Sequence, residues 1–194
     1  MPVTTTRTLP AAILREVQKA VIGKDLVLTK VLLAFLAGGH VLMEDMPGVG
    51  KTTLAMAFSK ALGLNCRRVQ FTPDVLPSDL TGFSVYEKNT GTFVFQPGAL
   101  FCHLLLADEI NRTSSKTQAA LLEAMEESNV TVEGKTYALP RPHLVIATQN
   151  PLGCVGTQSL PESQLDRFLM RLHMGYPEIQ DEVAILKGHA ARNP

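Results

Sequence analysis

The sequence has no excess of charge of either sign: Lys+Arg and Asp+Glu both number 18 in 194 residues. No global positive field exists to gather nucleic acid, which leaves only a local basic strip for such contacts. Long apolar runs are missing too. The longest, residues 31–37, falls far short of the roughly 20 residues that cross a bilayer. No charged segment followed by an apolar one opens the chain, so no secretion signal is read and a cytoplasmic location is expected. Cysteine is scarce. Cys66, Cys102 and Cys154 are widely separated, form no C-x-x-C pair and have no histidine at metal-ligand spacing. Free, buried or half-buried thiols are expected, and the five histidines are too scattered to suggest a metal cluster. Internal repeats and low-complexity runs are also lacking.

What is present is a globular composition, 45% hydrophobic and 19% charged, with room for one well-buried domain and the start of a second. Helix and strand patterns alternate. Ile13, Leu14, Val17 and Val21 keep helical spacing in a stretch that opens with a Thr and a Pro and closes at Gly23. A second helix is expected over residues 25–37. Strands are expected at 40–45, 66–71, 103–108 and 144–148, and helices over 51–62, 115–127 and 162–168, with a last apolar piece at 170–174. Such alternation predicts an α/β domain with a largely parallel sheet covered by helices. Two segments interrupt it. Phe83, Val85, Phe93 and Phe95 alternate around Asn89-Thr90-Gly91, and residues 130–139 alternate around Glu133-Gly134, so both read as inserted β-hairpins.

The chemistry gathers at strand ends. In "MEDMPGVGKTTLAM", residues 43–56, a strand runs into a glycine turn and then a helix. A phosphate site needs consecutive backbone N–H groups turned inward, and Gly48 and Gly50 supply the conformational freedom. Lys51 can then reach β- and γ-phosphates and Thr52 can ligate Mg²⁺, while the helix presents its positive end. The common pattern G-x-x-x-x-G-K-[ST] has glycine where this chain has Asp45, a position at the strand end and outside the tight turn that Pro47 helps hold. A second strand, "LLLADEINR", ends in adjacent carboxylates: Asp108 suits a metal's hydration shell, and Glu109 an attacking water. "VIATQNP" puts Asn150 at a third strand end, level with that pair, as a hydrogen-bond donor or simply as an Asn-Pro turn starter. Arg167 in "LPESQLDRF" suits developing phosphoryl charge; a surface helix arginine is the ordinary alternative.

Together these blocks resemble the MoxR family of AAA+ ATPases, in the helix-2-insert group. The matching segments are "VIGKD", "VLMEDMPGVGKTTLA", "LTGF", "PGALF", "LLLADEINR", "KTQAALLEAMEE", "LPRPHLVIATQNP" and "LPESQLDRFLM", in order across residues 21–174. The resemblance implies a three-layer α/β/α P-loop core, assembled into a homo-oligomeric, commonly hexameric ring with ATP or ADP and Mg²⁺ between neighbours. Gly48, Gly50, Lys51 and Thr52 would bind phosphate and metal, Pro47, Val49 and Thr53 would join them in binding the nucleotide, and Asp108 would share the metal with Thr52. Glu109 would be catalytic, Asn150 the sensor, and Arg167 a finger completing the neighbour's site. Ile22 and Gly23 match the segment that passes near adenine. An acidic residue at position 45 is common in the family.

Departures from the family pattern are Gly153, Cys154, Val155 and Gln158 after the sensor, and Ser114 and Ser115 where two prolines are common. All lie near an expected subunit interface. The resemblance further implies a core over residues 1–177 and, over 178–194, the start of a helical lid that is truncated here. The implied function is ATP-driven remodelling of protein clients with a von Willebrand factor A domain partner. A nucleic-acid motor, resting on Lys88, Lys135 and Arg141, and an ATP-binding module without turnover are the alternatives.

Overall fold

The computed structural model describes residues 4–46, 48–150 and 160–190. Helices α1 (Thr4–Gln18) and α2 (Asp25–Leu36) precede β1 (Val41–Glu44) and α3 (Lys51–Leu62). β2 (Cys66–Gln70) and a short α4 (Pro77–Thr81) lead into the hairpin of β3 (Gly82–Glu87) and β4 (Thr92–Pro97). β5 (Leu104–Asp108), α5 (Ser115–Glu127), a second hairpin of β6 (Asn129–Val132) and β7 (Lys135–Ala138), and β8 (Leu144–Gln149) follow. The series ends with α6 (Glu162–Leu165), β9 (Met170–Leu172) and α7 (Ile179–Ala190).

Five of these strands form one sheet in the order β2-β5-β8-β1-β9, and every pairing is parallel. The near-continuous apolar runs of β1, β5 and β8 are buried on both faces, as central parallel strands must be. Successive residues feed opposite cores. Val41, Met43, Leu104, Leu106, Leu144 and Ile146 pack with α1, α2 and α3. Leu42, Leu105, Ala107, Val145 and Ala147 pack with α5 and with Leu80 of α4. The result is the expected three-layer α/β/α core. Buried Glu44 braces the β1 end, accepting from Gln149 of β8 and from Arg171 of β9 at 2.7 and 2.8 Å.

Both hairpins form as the alternation predicts. Glu133 and Gly134 have φ of 52° and 77°, the two left-handed residues of a type I′ turn. They are not separate projections: Phe95 of β4 stacks on Tyr137 of β7 with centroids 3.9 Å apart. Two boundaries differ from expectation. α1 starts at Thr4 and carries Pro10 inside it, at the cost of one helical hydrogen bond, and it ends at Gln18, before Gly23. α4 was not expected; Pro77 opens it, and Asp79 Oδ2 accepts from Leu76 N–H at 2.9 Å, capping a helix too short for periodicity to reveal. Cys66 is half-buried and Cys102 buried, both free, while Cys154 lies outside the described residues.

Candidate functional site

The β1–α3 connection carries the glycines in the conformations a phosphate loop needs. Gly48 and Gly50 have φ of +88° and +97°, where a Cβ costs roughly 1–2 kcal/mol per residue. Around Gly48 nothing would meet a Cβ within 4 Å, so its requirement is conformational and the space beside it is open. Gly50 caps α3 without any side-chain hydrogen bond, leaving the first N–H groups of that helix for a ligand. Lys51 Nζ bends back onto the loop, donating to the carbonyls of Asp45 at 2.8 Å and Met46 at 3.3 Å. Burial pushes the Lys51 pKa down, and the carboxylates of Asp45, Asp108 and Glu109 oppose that.

Across the cavity stand the carboxylates that end β5. Thr148 of β8 joins them: its Oγ1 donates to Asp108 Oδ1 at 3.0 Å and accepts from Glu109 N–H at 2.9 Å. Glu109 takes a left-handed φ of 57°, uncommon for a residue with a Cβ and here held by that hydrogen bond. Edge strand β2 contributes two further groups. Arg68 Nε donates to Asp108 Oδ2 at 2.8 Å, and Gln70 Nε2 donates to Glu109 Oε2 at 3.0 Å. Arg112 also donates to Glu109 Oε2, at 2.7 Å. Gly48, Gly50, Lys51, Thr52, Asp108 and Glu109 therefore line one cavity of 330 Å³. Arg68, Gln70 and Thr148 complete that lining and were missed in the sequence.

A second, largely apolar cavity of 280 Å³ is also lined by Gly48 and Gly50. Ile22, Val49 and Thr53 line it, joined by Met174, Pro177 and Ile185 from the C-terminal part of the chain. Gly23, with φ of +71°, turns the chain beneath α7, and a Cβ there would collide with the Asp181 carboxylate. The two cavities meet at the glycines. A ligand with an anionic tail and an apolar ring would span both.

The remaining expected residues are not among the lining of these two cavities. Arg167 pairs with Glu126 of α5 in a separate cavity beside Ser163 and Asp166. Asn150 lies two residues beyond Thr148, and its carbonyl accepts from Asn111 Nδ2 at 3.3 Å. Ser114 is the N-cap of α5, accepting from Thr117 N–H at 3.3 Å, and Ser115 opens that helix. Pro47, Gly153, Cys154, Val155 and Gln158 lie outside the described residues. Among the described residues no cluster of three or more His, Cys, Asp or Glu could hold a metal alone. The Thr52 hydroxyl and Asp108 carboxylate are nevertheless the hard oxygen donors Mg²⁺ takes when phosphate and water fill its other positions. No helix among the described residues is long and apolar enough to cross a membrane.

Residues 40–170 match the profile of the ATPase family associated with various cellular activities (AAA). An uncharacterized Bacillus subtilis protein, YeaC, is 51% identical over 179 residues, 92% of this chain and 56% of that one. The chaperone MoxR1 of Mycobacterium tuberculosis is 42% identical over 179 residues, 92% of this chain and 47% of its own length. The crystal structure of a candidate ATPase from Cytophaga hutchinsonii aligns with a TM-score of 0.84 at 38% identity, over 96% of this chain and 57% of that one. The chain thus spans about half the length of the curated relatives it matches. With a phosphate loop, a paired-carboxylate strand and these relatives in agreement, the chain belongs to the MoxR family of AAA+ ATPases.

Proposed function

We propose that this chain is the nucleotide-hydrolysing core of a ring-forming ATPase, converting ATP and water to ADP and phosphate. The observation that carries the proposal is that Gly48 and Gly50 line both cavities, the polar one also lined by Lys51, Asp108 and Glu109. The apolar cleft suits adenine and the polar one suits the triphosphate. In this scheme Lys51 exchanges the Asp45 and Met46 carbonyls for phosphate oxygens. Thr52 and Asp108 would hold Mg²⁺, which would neutralise phosphate charge there. Glu109 takes a proton from the attacking water, once its carboxylate leaves Gln70 and Arg112. Asn150 senses the terminal phosphate from the end of β8, and Arg167 leaves Glu126 to reach the site of a neighbouring subunit.

The relation to a named chaperone supports a role in remodelling protein clients, and the proposal places that role in the cytoplasm beside a von Willebrand factor A domain partner. In the same proposal residues 1–177 form the core and α7 starts a lid. Turnover measured against protein concentration tests the scheme, since shared sites make activity rise faster than linearly. Glu109→Gln should keep ATP binding and abolish turnover. Arg167→Ala should be inactive alone and recover when mixed with Lys51→Ala subunits. Linear activity, or full turnover by Glu109→Gln, would reject the scheme.

A further inference from the structure

The residue that breaks the common phosphate-loop pattern has a task the loop itself does not require. Asp45 is buried, and both of its carboxylate oxygens accept backbone N–H groups from 129 and 130 residues downstream. Oδ2 accepts from Met174 at 2.6 Å and Oδ1 from Gly175 at 3.0 Å. The parallel β1–β9 ladder ends where Met43 pairs with Leu172. The Asp45 side chain therefore continues that pairing past the end of the strands, satisfying two N–H groups that no further strand residue of β1 could reach. A glycine at position 45 has no atoms with which to do so.

The clamped segment is a wall of the ligand cleft. Met174 and Pro177 line the apolar cavity, and Met174 Cε lies 3.5 Å from where a Cβ on Gly50 would sit. Gly175, with φ of +63°, turns the chain toward α7, whose Ile185 lines the same cavity and whose Asp181 packs on Gly23. Lys24 Nζ fastens the facing turn to the same segment by donating to the Tyr176 carbonyl at 2.7 Å. Asp45 is also the residue whose main-chain oxygen holds Lys51 Nζ at 2.8 Å. One residue thus touches the phosphate lysine through its backbone and the base-side wall through its side chain.

We propose that Asp45 is a positioning residue that couples the phosphate end of the nucleotide cleft to the segment 174–177 and, through it, to α7. Movement of Lys51 from the Asp45 carbonyl onto a phosphate changes the restraint on the residue that holds Met174 and Gly175. Nucleotide occupancy is thereby transmitted to the helix that leaves the core. The coupling rests on the nucleotide reading above, but the clamp does not.

The test compares the wild-type protein with Asp45→Gly, which restores the common glycine, and with Asp45→Asn, which keeps the shape and can accept only through one oxygen. Amide hydrogen exchange at Met174 and Gly175 and the Kd for a fluorescent ADP are measured on each. Asp45→Gly should exchange about tenfold faster at both amides and bind ADP about fivefold more weakly, with Asp45→Asn intermediate. In wild type, ADP should slow exchange at these amides, and in Asp45→Gly that response should vanish. Asn keeps the protein folded if Gly does not, and its intermediate values then carry the comparison. Unchanged exchange in both variants overturns the clamp. Faster exchange with an unaltered ADP affinity and an intact ADP response overturns the coupling. No ADP binding by wild type rejects the nucleotide reading, and the coupling with it, independently of the exchange result for the clamp.

Discussion

Thr148→Val isolates the hydroxyl by which the end of β8 holds Asp108 and Glu109 at the end of β5. Valine keeps the shape and β-branching of threonine, so β8 and its pairing with β5 and β1 should persist. What disappears is the donor to Asp108 Oδ1 and the acceptor for Glu109 N–H, at a side chain with 0% exposure. Leaving one buried polar group unpaired costs roughly 1–3 kcal/mol. Asp108 keeps Arg68 on its other oxygen, and the Glu109 amide borders a cavity that water can enter, so the low half of that range applies, about 1–2 kcal/mol. With a urea slope of about 2 kcal/mol/M, the unfolding midpoint should fall by about 0.5–1 M. Function should fall further than stability. Glu109 is held at a φ of 57° by that amide bond, and its carboxylate loses its aim once the restraint is gone. Turnover at saturating ATP should therefore drop at least about tenfold, while nucleotide affinity changes little because the phosphate loop is untouched. Thr148→Ser, which returns the hydroxyl, should restore most of both. An unaltered midpoint in the valine variant, or serine behaving like valine, would refute the reasoning.

Arg68→Ala removes a half-exposed guanidinium from Asp108, a pair worth up to about 1 kcal/mol after screening. If Arg68 competes with the metal, the Mg²⁺ concentration for half-maximal fluorescent-ATP binding should fall about two- to fivefold; a rise would mean that Arg68 holds the ligand instead. His40 is buried, with Nδ1 accepting from Val145 N–H at 3.1 Å and Nε2 donating to the Met125 carbonyl at 3.0 Å, which requires the neutral ring. Burial holds its pKa below the ordinary histidine value, so the unfolded chain takes up the proton first. The associated stability is present above about pH 6.5 and lost as pH falls toward the folded-state value. Urea midpoints should decline between pH 7 and 5.5, and His40→Leu should reduce that slope, though His143, also depressed by burial, retains part of it. A double-mutant cycle on Phe95→Leu and Tyr137→Leu should give a coupling of about 0.5–1.5 kcal/mol, measured by urea unfolding, if their stack ties the hairpins together.

Whether a feature could be read from the sequence depended on how far its cause reached along the chain. β1, β5 and β8 were legible because burial on both faces forces unbroken apolar runs that end abruptly in polar residues, and the phosphate loop because Gly48, Gly50 and Lys51 act within a few residues of one another. Arg68 and Gln70 were passed over although their spacing of two puts them on one face of β2. That face meets Asp108 only because β2 lies beside β5, with Gln70 paired to Asp108, and strand order is not a local property. Register in the folded sheet is likewise what brings Thr148 to the site. Ala107 pairs with Ala147, so the next residue of each strand, Asp108 and Thr148, must stand level, whereas Asn150 lies two positions farther on. Asp45 is the extreme case. Within the loop its carboxylate meets Lys51 through charge, but its two hydrogen-bond partners become visible only once β9 brings Met174 and Gly175 alongside β1. A substitution that looks like erosion of a local motif is thus better understood as a long-range contact. The sequence position gave no sign of this because the two ends of the contact meet only in the folded sheet.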